Sequence, residues 1–310
     1  MHDGDGAFLS VAAKLVMTRP GVQRSICGLA AIGLCCSGLA SAGQSGLERG
    51  AERVHERNTE LRRRWQKTSS IRHCEVSKLQ GVSANAHLVI TDQADRFVVR
   101  DPKRGVTHAL RMNHGLQRLA ALFDAAELVV PAIESITPFP IGSIPAQERV
   151  MVVEALPGAF RAGNLAPRAW RQAVAEDRRL LLATLDLIAR HDDRKLSNLM
   201  LDEKGAVRLI DPDRAFFARC GGLRVHASAF FPGRLIGYQT PQRTAEELPP
   251  EIRSAVDVLA GAVDREVAGA FDLELDEALV PIAGARRIQR LGLTGAIMEY
   301  LGTVKLHASQ

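Results

Sequence analysis

Three side chains in one short stretch have the types and spacing to do chemistry. In His191-Asp192-Asp193-Arg194-Lys195-Leu196-Ser197-Asn198 an Asp stands five residues before an Asn, and in Leu209-Ile210-Asp211 a second Asp stands thirteen residues after that Asn. A carboxylate that can take a proton, joined by an amide and a carboxylate that can hold a hard divalent cation, suits phosphoryl transfer.

For the three to meet, the intervening chain must fold back on itself. Leu199-Met200-Leu201 reads as a short apolar strand and Ala206-Val207-Arg208-Leu209-Ile210 as a second one with rough alternation. Between them Asp202-Glu203-Lys204-Gly205 is a turn signal, with Gly where a positive φ costs least. The resulting β-hairpin sets Asn198 at its entry and Asp211 at its exit. Upstream, the spacing predicts a helix from Arg171 to Ala189 with Leu180, Leu181, Leu182, Leu185 and Ile188 on its buried side, and a polar loop that carries Asp193.

Helix, polar loop, hairpin and terminal Asp is the order of the protein-kinase catalytic segment. The kinase pattern H-R-D-L-x-x-x-N aligns without a gap to His191, Asp193 and Asn198. On these residues the chain resembles the protein-kinase-like superfamily. It looks closer to the atypical branch, the HipA-like and phosphatidylinositol 3/4-kinase-like proteins, whose loop reads D-R-H-x-x-N. Here Lys195 takes the place of that His, and Asp211-Pro212-Asp213 stands where D-F-G is usual. The resemblance covers roughly residues 80 to 300, and its specific part is the catalytic segment.

The resemblance implies an α+β, two-lobed protein-kinase-like fold, with a small β-rich N-lobe over 76–157 and a mainly helical C-lobe over 158–305. It implies ATP and Mg²⁺ as cofactors. Asp193 then orients or deprotonates an acceptor hydroxyl, Asn198 and Asp211 hold the metal against the nucleotide phosphates, and Lys195 offsets charge on the transferring phosphoryl. Oxygen ligands fit magnesium better than zinc.

The upstream half must then grip the nucleotide. Gly81 to Ala86 is small and polar with a single glycine; alone it reads equally as the tip of a surface hairpin, and the resemblance implies a phosphate-covering loop that contains Ser83 and Asn85. His87–Ile90 and Arg96–Arg100 read as strands joined by a turn over Thr91–Asp95. The position of the phosphate-gripping Lys is taken by Arg100, with Lys103 nearby, a change in shape and in binding mode. A helix from about Asn113 to Glu127 carries Asn113-His114 where a partner Glu belongs. Further strands read over Ala132–Ile136 and Arg149–Glu154. The second ends at Ala155-Leu156-Pro157-Gly158, which by itself is a strand with a stop; the resemblance to kinases implies an adenine-binding hinge there, with Glu154 and Leu156 at it. Beyond 159 the pattern is mostly helical. It predicts a helix from Pro249-Pro250 through about Val267, then amphipathic segments over Glu274–Gly284 and Arg286–Leu301.

At 310 residues and 46% apolar content the chain can bury a sizeable core. Its net charge is +5, its basic residues are spread widely apart from Arg62-Arg63-Arg64, and only 5% of its residues are aromatic. There is little for base stacking, and no nucleic-acid partner is expected. The charged stretch Ala51–Lys67 reads as a solvated helix, part of a charged leader over 43–75.

The N-terminus has the order of a secretory signal peptide. A basic segment from Met17 to Arg24 precedes the apolar run Ile26–Ala40 and an A-x-A site at Ala40-Ser41-Ala42. Residues 1–42 are then removed, with Met17 a possible start, and no membrane span remains. Cys74 and Cys220 are the cysteines left after cleavage, and nothing in the sequence places them together. No zinc spacing, G-x-S-x-G or H-E-x-x-H element occurs. Export sets the chain where ATP is normally scarce. The expectation is an exported atypical kinase acting on a hydroxyl of a protein, lipid or small molecule. The alternative, favoured by Arg100 and His114, is a kinase-like binding module without transfer.

Overall fold

A five-stranded antiparallel sheet is built from β1 (Cys74–Lys78), β2 (Asn85–Thr91), β3 (Arg96–Asp101), β4 (Ala132–Ile136) and β5 (Arg149–Glu154), in the order β1-β2-β3-β5-β4. The computed structural model describes residues 29–68, 74–78, 85–102, 104–156, 158–161, 165–202, 204–216, 227–234 and 236–303. The turn between β2 and β3 closes as its residues dictate: Thr91 N–H donates to the Asp95 carbonyl at 2.9 Å, and its hydroxyl accepts from Asp95 N–H at 3.1 Å. The register pairs Ala86 with Arg100, and Arg100 with Met151. Paired residues share a face and neighbours along a strand alternate. Arg100 therefore lies on one face of the sheet, and Asn85, Val99 and Val152 on the other.

Each face is covered by one helix. Ala132 and Met151 pack on Val106, Ala109 and Leu110 of α2 (Val106–Leu122). Val89, Phe97, Val99, Ile133, Val150 and Val152 pack on Leu61 and Trp65 of α1 (Leu29–Lys67). The chain divides into two units, Met1–Gly38 and Leu39–Gln310, and the packing of α1 concerns its part in the second.

That packing overturns the solvated helix expected over Ala51–Lys67. Leu47, Val54, Leu61 and Trp65 are buried, seven, seven and four residues apart. This is a narrow stripe of one apolar residue every one or two turns, so charge dominates the composition while one line of the helix stays dry. Polar groups complete the seam. Asn58 Oδ1 accepts from Ala132 N–H at 3.3 Å, Trp65 Nε1–H donates to Ser135 Oγ at 2.8 Å, and Arg64 pairs with Asp95 at 2.9 Å and Glu154 at 2.7 Å. Trp65 also meets Phe97 edge-on, with ring centroids 5.2 Å apart. Trp65→Ala removes this ring and its hydrogen bond together. It is expected to cost about 3–5 kcal/mol, read as a fall in the urea midpoint.

The rest of the chain is mainly helical. A three-residue 3₁₀ turn over Ala126–Leu128 follows α2. Then come β6 (Phe160–Arg161), α3 (Pro167–Ala173), α4 (Glu176–Ile188), β7 (Leu199–Leu201) and β8 (Val207–Leu209), with the three strands in the order β6-β7-β8. The chain continues as α5 (Pro250–Gly261), α6 (Asp264–Phe271) and α7 (Leu275–Thr303). With seven α-helices and two sheets among the described residues, the class is α+β. The main core joins Leu180–Leu182, Leu185 and Ile188 of α4 to Phe216, Phe230, Phe231 and the inward side of α5 and α7.

Helix boundaries differ from the sequence expectations at four places. α2 begins at Val106, not Asn113, because Gly105 holds φ 84° and turns the chain into it. The helix expected over Arg171–Ala189 breaks at extended Val174 and Ala175, where Glu176 and Asp177 supply a new acidic first turn. The helix expected through Val267 breaks at Ala262–Val263, where Val263 N–H donates to the Glu266 carboxylate at 3.4 Å. The last helix runs through Arg286 and kinks instead at Gly292, whose φ of 65° and close approach to the Arg243 backbone leave no room for a side chain.

No helix among the described residues is long and apolar enough to cross a membrane. The expected n-region and the first three residues of the apolar run lie outside the described residues, as do Ser83, Lys103 and Cys220.

Candidate functional site

Helix α4 ends at Ile188, and the chain reverses through Arg190 at φ 47°. His191 N–H donates to the Asp186 carbonyl at 2.9 Å, which ties the start of the loop to the helix end. His191, Asp192 and Arg194 are buried, while Asp193 and Lys195 are half-buried. A 3₁₀ turn over Leu196–Asn198 then feeds β7. The hairpin closes through Gly205 at φ 76°, with Asp202 Oδ1 accepting from Lys204 N–H and Ala206 N–H. At its base Ile210 N–H donates to the Asn198 carbonyl at 3.2 Å, so Asp211 leaves the hairpin beside Asn198.

Asn198 Nδ2 donates to the Asp193 carbonyl at 2.8 Å and to Asp193 Oδ2 at 3.3 Å. This orients the amide with Oδ1 as its remaining acceptor. Lys195 Nζ lies 3.4 Å from Asp193 Oδ1. Asp211 sits at φ 57°, a left-handed conformation that Asp tolerates better than most residues and that turns its carboxylate out of the strand direction.

Arg100 reaches this point from β3. Its Nη1 is 2.9 Å from Asp211 Oδ1 and its Nη2 3.3 Å from Asp213 Oδ2, and its side chain is 10% exposed. The Asp213 carbonyl also accepts from His108 Nε2 at 3.1 Å and from Arg104 at 3.5 Å, which brings the start of α2 to the same place. Burial pushes the Asp213 carboxyl up to about 6, reinforced by its hydrogen bond to Asp211 and by the Asp211 charge. Burial acts upward on Asp211 as well, but the Asp213 hydrogen bond and the Arg100 guanidinium outweigh it, so Asp211 lies below the ordinary value. The two carboxyls thus share a proton in weakly acidic solution.

This pair gives folding a pH dependence of definite sign. Between the ordinary value of 3.8 and about 6, the folded chain holds the Asp213 proton that the unfolded chain has lost. The contribution of Asp213 to stability is therefore full below that window and falls as pH rises through it. Urea midpoints measured across the window are expected to fall more steeply with rising pH in the parent chain than in Asp213→Asn.

Two ion pairs, each with a buried carboxylate, underlie the cluster. Arg214 lies against Asp192, with Nε 2.6 Å from Oδ1 and Nη2 2.8 Å from Oδ2, so the segment after Asp211 is fastened to the residue before Asp193. Burial raises the Asp192 carboxyl against the pull of Arg214. Arg194 pairs with Asp186 at 3.0 Å with both side chains almost wholly enclosed. Burial, then the Arg194 and Arg214 charges, hold His191 well below its ordinary value, so its ring is neutral.

Other expected site residues lie elsewhere. Asn85 faces away from Arg100 and bonds to His87 Nε2 at 3.0 Å and Ser143 Oγ at 2.8 Å. The Glu154 carboxylate is held by Arg64 of α1, and the Glu154 and Ala155 N–H groups donate to the Pro131 and Arg96 carbonyls. Leu156 is half-buried, with its carbonyl accepting from Ala159 N–H at 3.3 Å. His114 donates to the Ala132 carbonyl at 2.9 Å, and the acids that meet Arg100 are Asp211 and Asp213. Sequence reading passed over Asp213 as a departure from D-F-G. Its spacing of two from Asp211 was the available signal.

Among the described residues no group of three or more His, Cys, Asp or Glu side chains converges as a metal cage. Asn198, Asp211 and Asp213 instead offer an amide and two carboxylates, and a guanidinium already lies between the acids. Such a set fits magnesium, which keeps several waters and takes one or two carboxylates together with phosphate oxygens. Compared with known proteins, the chain matches no family model and no curated protein.

Proposed function

We propose that this chain is an atypical kinase with a two-lobed, protein-kinase-like arrangement, transferring the γ-phosphoryl of ATP to a hydroxyl of a protein, lipid or small molecule. One observation carries the reading: a single loop and hairpin sets Asp193 on the Asn198 amide and Asn198 beside Asp211, and Arg100 meets Asp211 from the sheet. In this reading Asp193 orients the acceptor hydroxyl and takes its proton as the hydroxyl oxygen bonds to the γ-phosphorus. The bond from that phosphorus to the β–γ bridging oxygen breaks, and its electron pair leaves with ADP. Lys195, beside Asp193, offsets charge on the phosphoryl oxygens. Asn198 and Asp211, with Asp213 added to the original pair, hold magnesium, which when bound neutralises phosphate charge. The basic segment, apolar run and A-x-A site support an exported protein that meets its nucleotide in another cell or compartment.

A second reading has its own observation. Arg100 already neutralises Asp211 and Asp213, and the acid it pairs with does not come from α2. A binding module with no transfer accounts for that pairing. Purified chain titrated with ATP in the presence and absence of Mg²⁺, then assayed for ADP release, separates the two. Magnesium-dependent binding with turnover supports the kinase, and binding without turnover supports the module. No nucleotide binding rejects the kinase and leaves a module that binds another ligand or partner.

A further inference from the structure

We infer that Arg194 is a positioning residue that sets the separation of the two cation-binding side chains, Asn198 and Asp211. The inference rests on the metal-binding reading above and goes beyond it by saying what tunes the site.

Arg194 is fully enclosed, at 0% exposure. Its Nη1 lies 3.4 Å from the Asn198 carbonyl and 3.2 Å from the Ile210 carbonyl. These carbonyls belong to one ligand residue and to the residue directly before the other. One guanidinium nitrogen therefore spans both arms of the hairpin base. The guanidinium is itself fixed. Its Nε donates to Asp186 Oδ1 at 3.0 Å, and Asp186 Oδ2 accepts from Ser228 Oγ at 2.6 Å. The Arg194 carbonyl accepts from Ala229 N–H at 3.0 Å. Helix α4, the catalytic loop, the hairpin base and the 228–229 segment thus converge on one side chain.

Packing alone does not call for an arginine here. A buried pair is often matched or exceeded in stability by apolar residues of similar volume, and Arg194 leaves its Nη2 buried without a partner among the described residues. What an apolar side chain lacks is a donor aimed at the Asn198 and Ile210 carbonyls. A lysine lacks the planar fork that reaches Asp186 and the carbonyls at once.

The consequence is a cation preference. Mg²⁺ demands near-ideal octahedral geometry at short distances, whereas Ca²⁺ accepts a looser set of oxygens. Loosening the Asn198–Asp211 separation penalises Mg²⁺ more than Ca²⁺, and loss of an outer-shell partner typically weakens metal affinity by about 10–100-fold.

The test measures ATP binding to the full chain by calorimetry, titrated with Mg²⁺ or Ca²⁺, for the parent, Arg194→Lys, the paired change Arg194→Met with Asp186→Leu, and Ser228→Ala. The paired change removes both buried charges together, so that neither is left uncompensated. Ser228→Ala removes only the bond that orients Asp186. Urea unfolding reports stability separately. The expected result is a fall of about 10-fold or more in the Mg²⁺ over Ca²⁺ preference for the two Arg194 variants, with a smaller fall in the same direction for Ser228→Ala. Variants that lose stability but keep the parent's cation preference overturn the inference and leave the phosphotransfer reading standing. A parent chain that binds no nucleotide with either cation overturns both.

Discussion

Asp193→Asn is expected to lower phosphoryl transfer by about 10²–10⁴-fold, the usual worth of a positioned general base, while Mg²⁺-dependent ATP binding stays within a few-fold of the parent. The geometry makes this separation clean. An asparagine at 193 keeps the backbone carbonyl and a side-chain oxygen to accept the Asn198 amide, which donates at 2.8 Å and 3.3 Å in the parent. The cation ligands therefore stay oriented, and only the proton acceptor is lost. Asp211→Asn is expected to act the other way. It removes a charged oxygen from the ligand set and abolishes the magnesium dependence of ATP binding. Single-turnover kinetics beside calorimetry reads both. If Asp193→Asn transfers phosphate at the parent's rate, the carboxylate has no part in the chemistry, and the kinase reading is lost even with nucleotide bound.

Arg100→Met is expected to destabilise the chain by about 2–4 kcal/mol at neutral pH. Removing one partner of a buried pair typically costs about 3–5 kcal/mol, reduced here because the side chains of Asp211 and Asp213 keep 30% and 19% of their exposure. The loss comes from two carboxylates left facing each other without a cation. It should shrink as pH falls toward about 6, because without the Arg100 charge Asp213 takes up its proton at higher pH than in the parent and the repulsion disappears. It should also shrink on adding Mg²⁺, because a divalent ion that binds only the folded chain replaces the missing charge by mass action. The rise in melting temperature with millimolar Mg²⁺ is thus expected to be larger in Arg100→Met than in the parent. An equal rise in both chains argues against the two acids as cation ligands, whatever the stability of the variant.

The strands were readable wherever one face is dry. Along β2 and β3 the buried Val89, Phe97 and Val99 alternate with exposed or half-buried neighbours as far as buried Arg100, which places both elements within a residue or two of their observed ends. Helix ends were less readable because they depend on single residues. Gly105 opens a helix, and Ala175, Val263 and Gly292 each break or bend one whose apolar pattern continues past them. The α1 stripe was overlooked for a different reason. Leu47, Val54, Leu61 and Trp65 make too thin a line among charges to announce a buried face, and the residues that dry it, Ala121 and Ala126 at Val54 and Phe97, Ile133 and Ser135 at Leu61 and Trp65, lie far along the chain.

The candidate site divides in the same way. Asp193, Asn198 and Asp211 were named from spacing, because a tight hairpin is a local structure: two short apolar strands and a turn with glycine bring its ends together whatever surrounds it. The partners of these residues were not available to local reasoning. Arg100 meets Asp213 across 113 positions, Asn85 and Glu154 fall on the other face of the sheet, and Arg194 joins Asp186 to both arms of the hairpin from within the core. Sequence by itself determined which groups can do chemistry and how one turn presents them. Only the tertiary structure decided which charges oppose them, because burial and long-range pairing, not spacing, set where a guanidinium comes to rest.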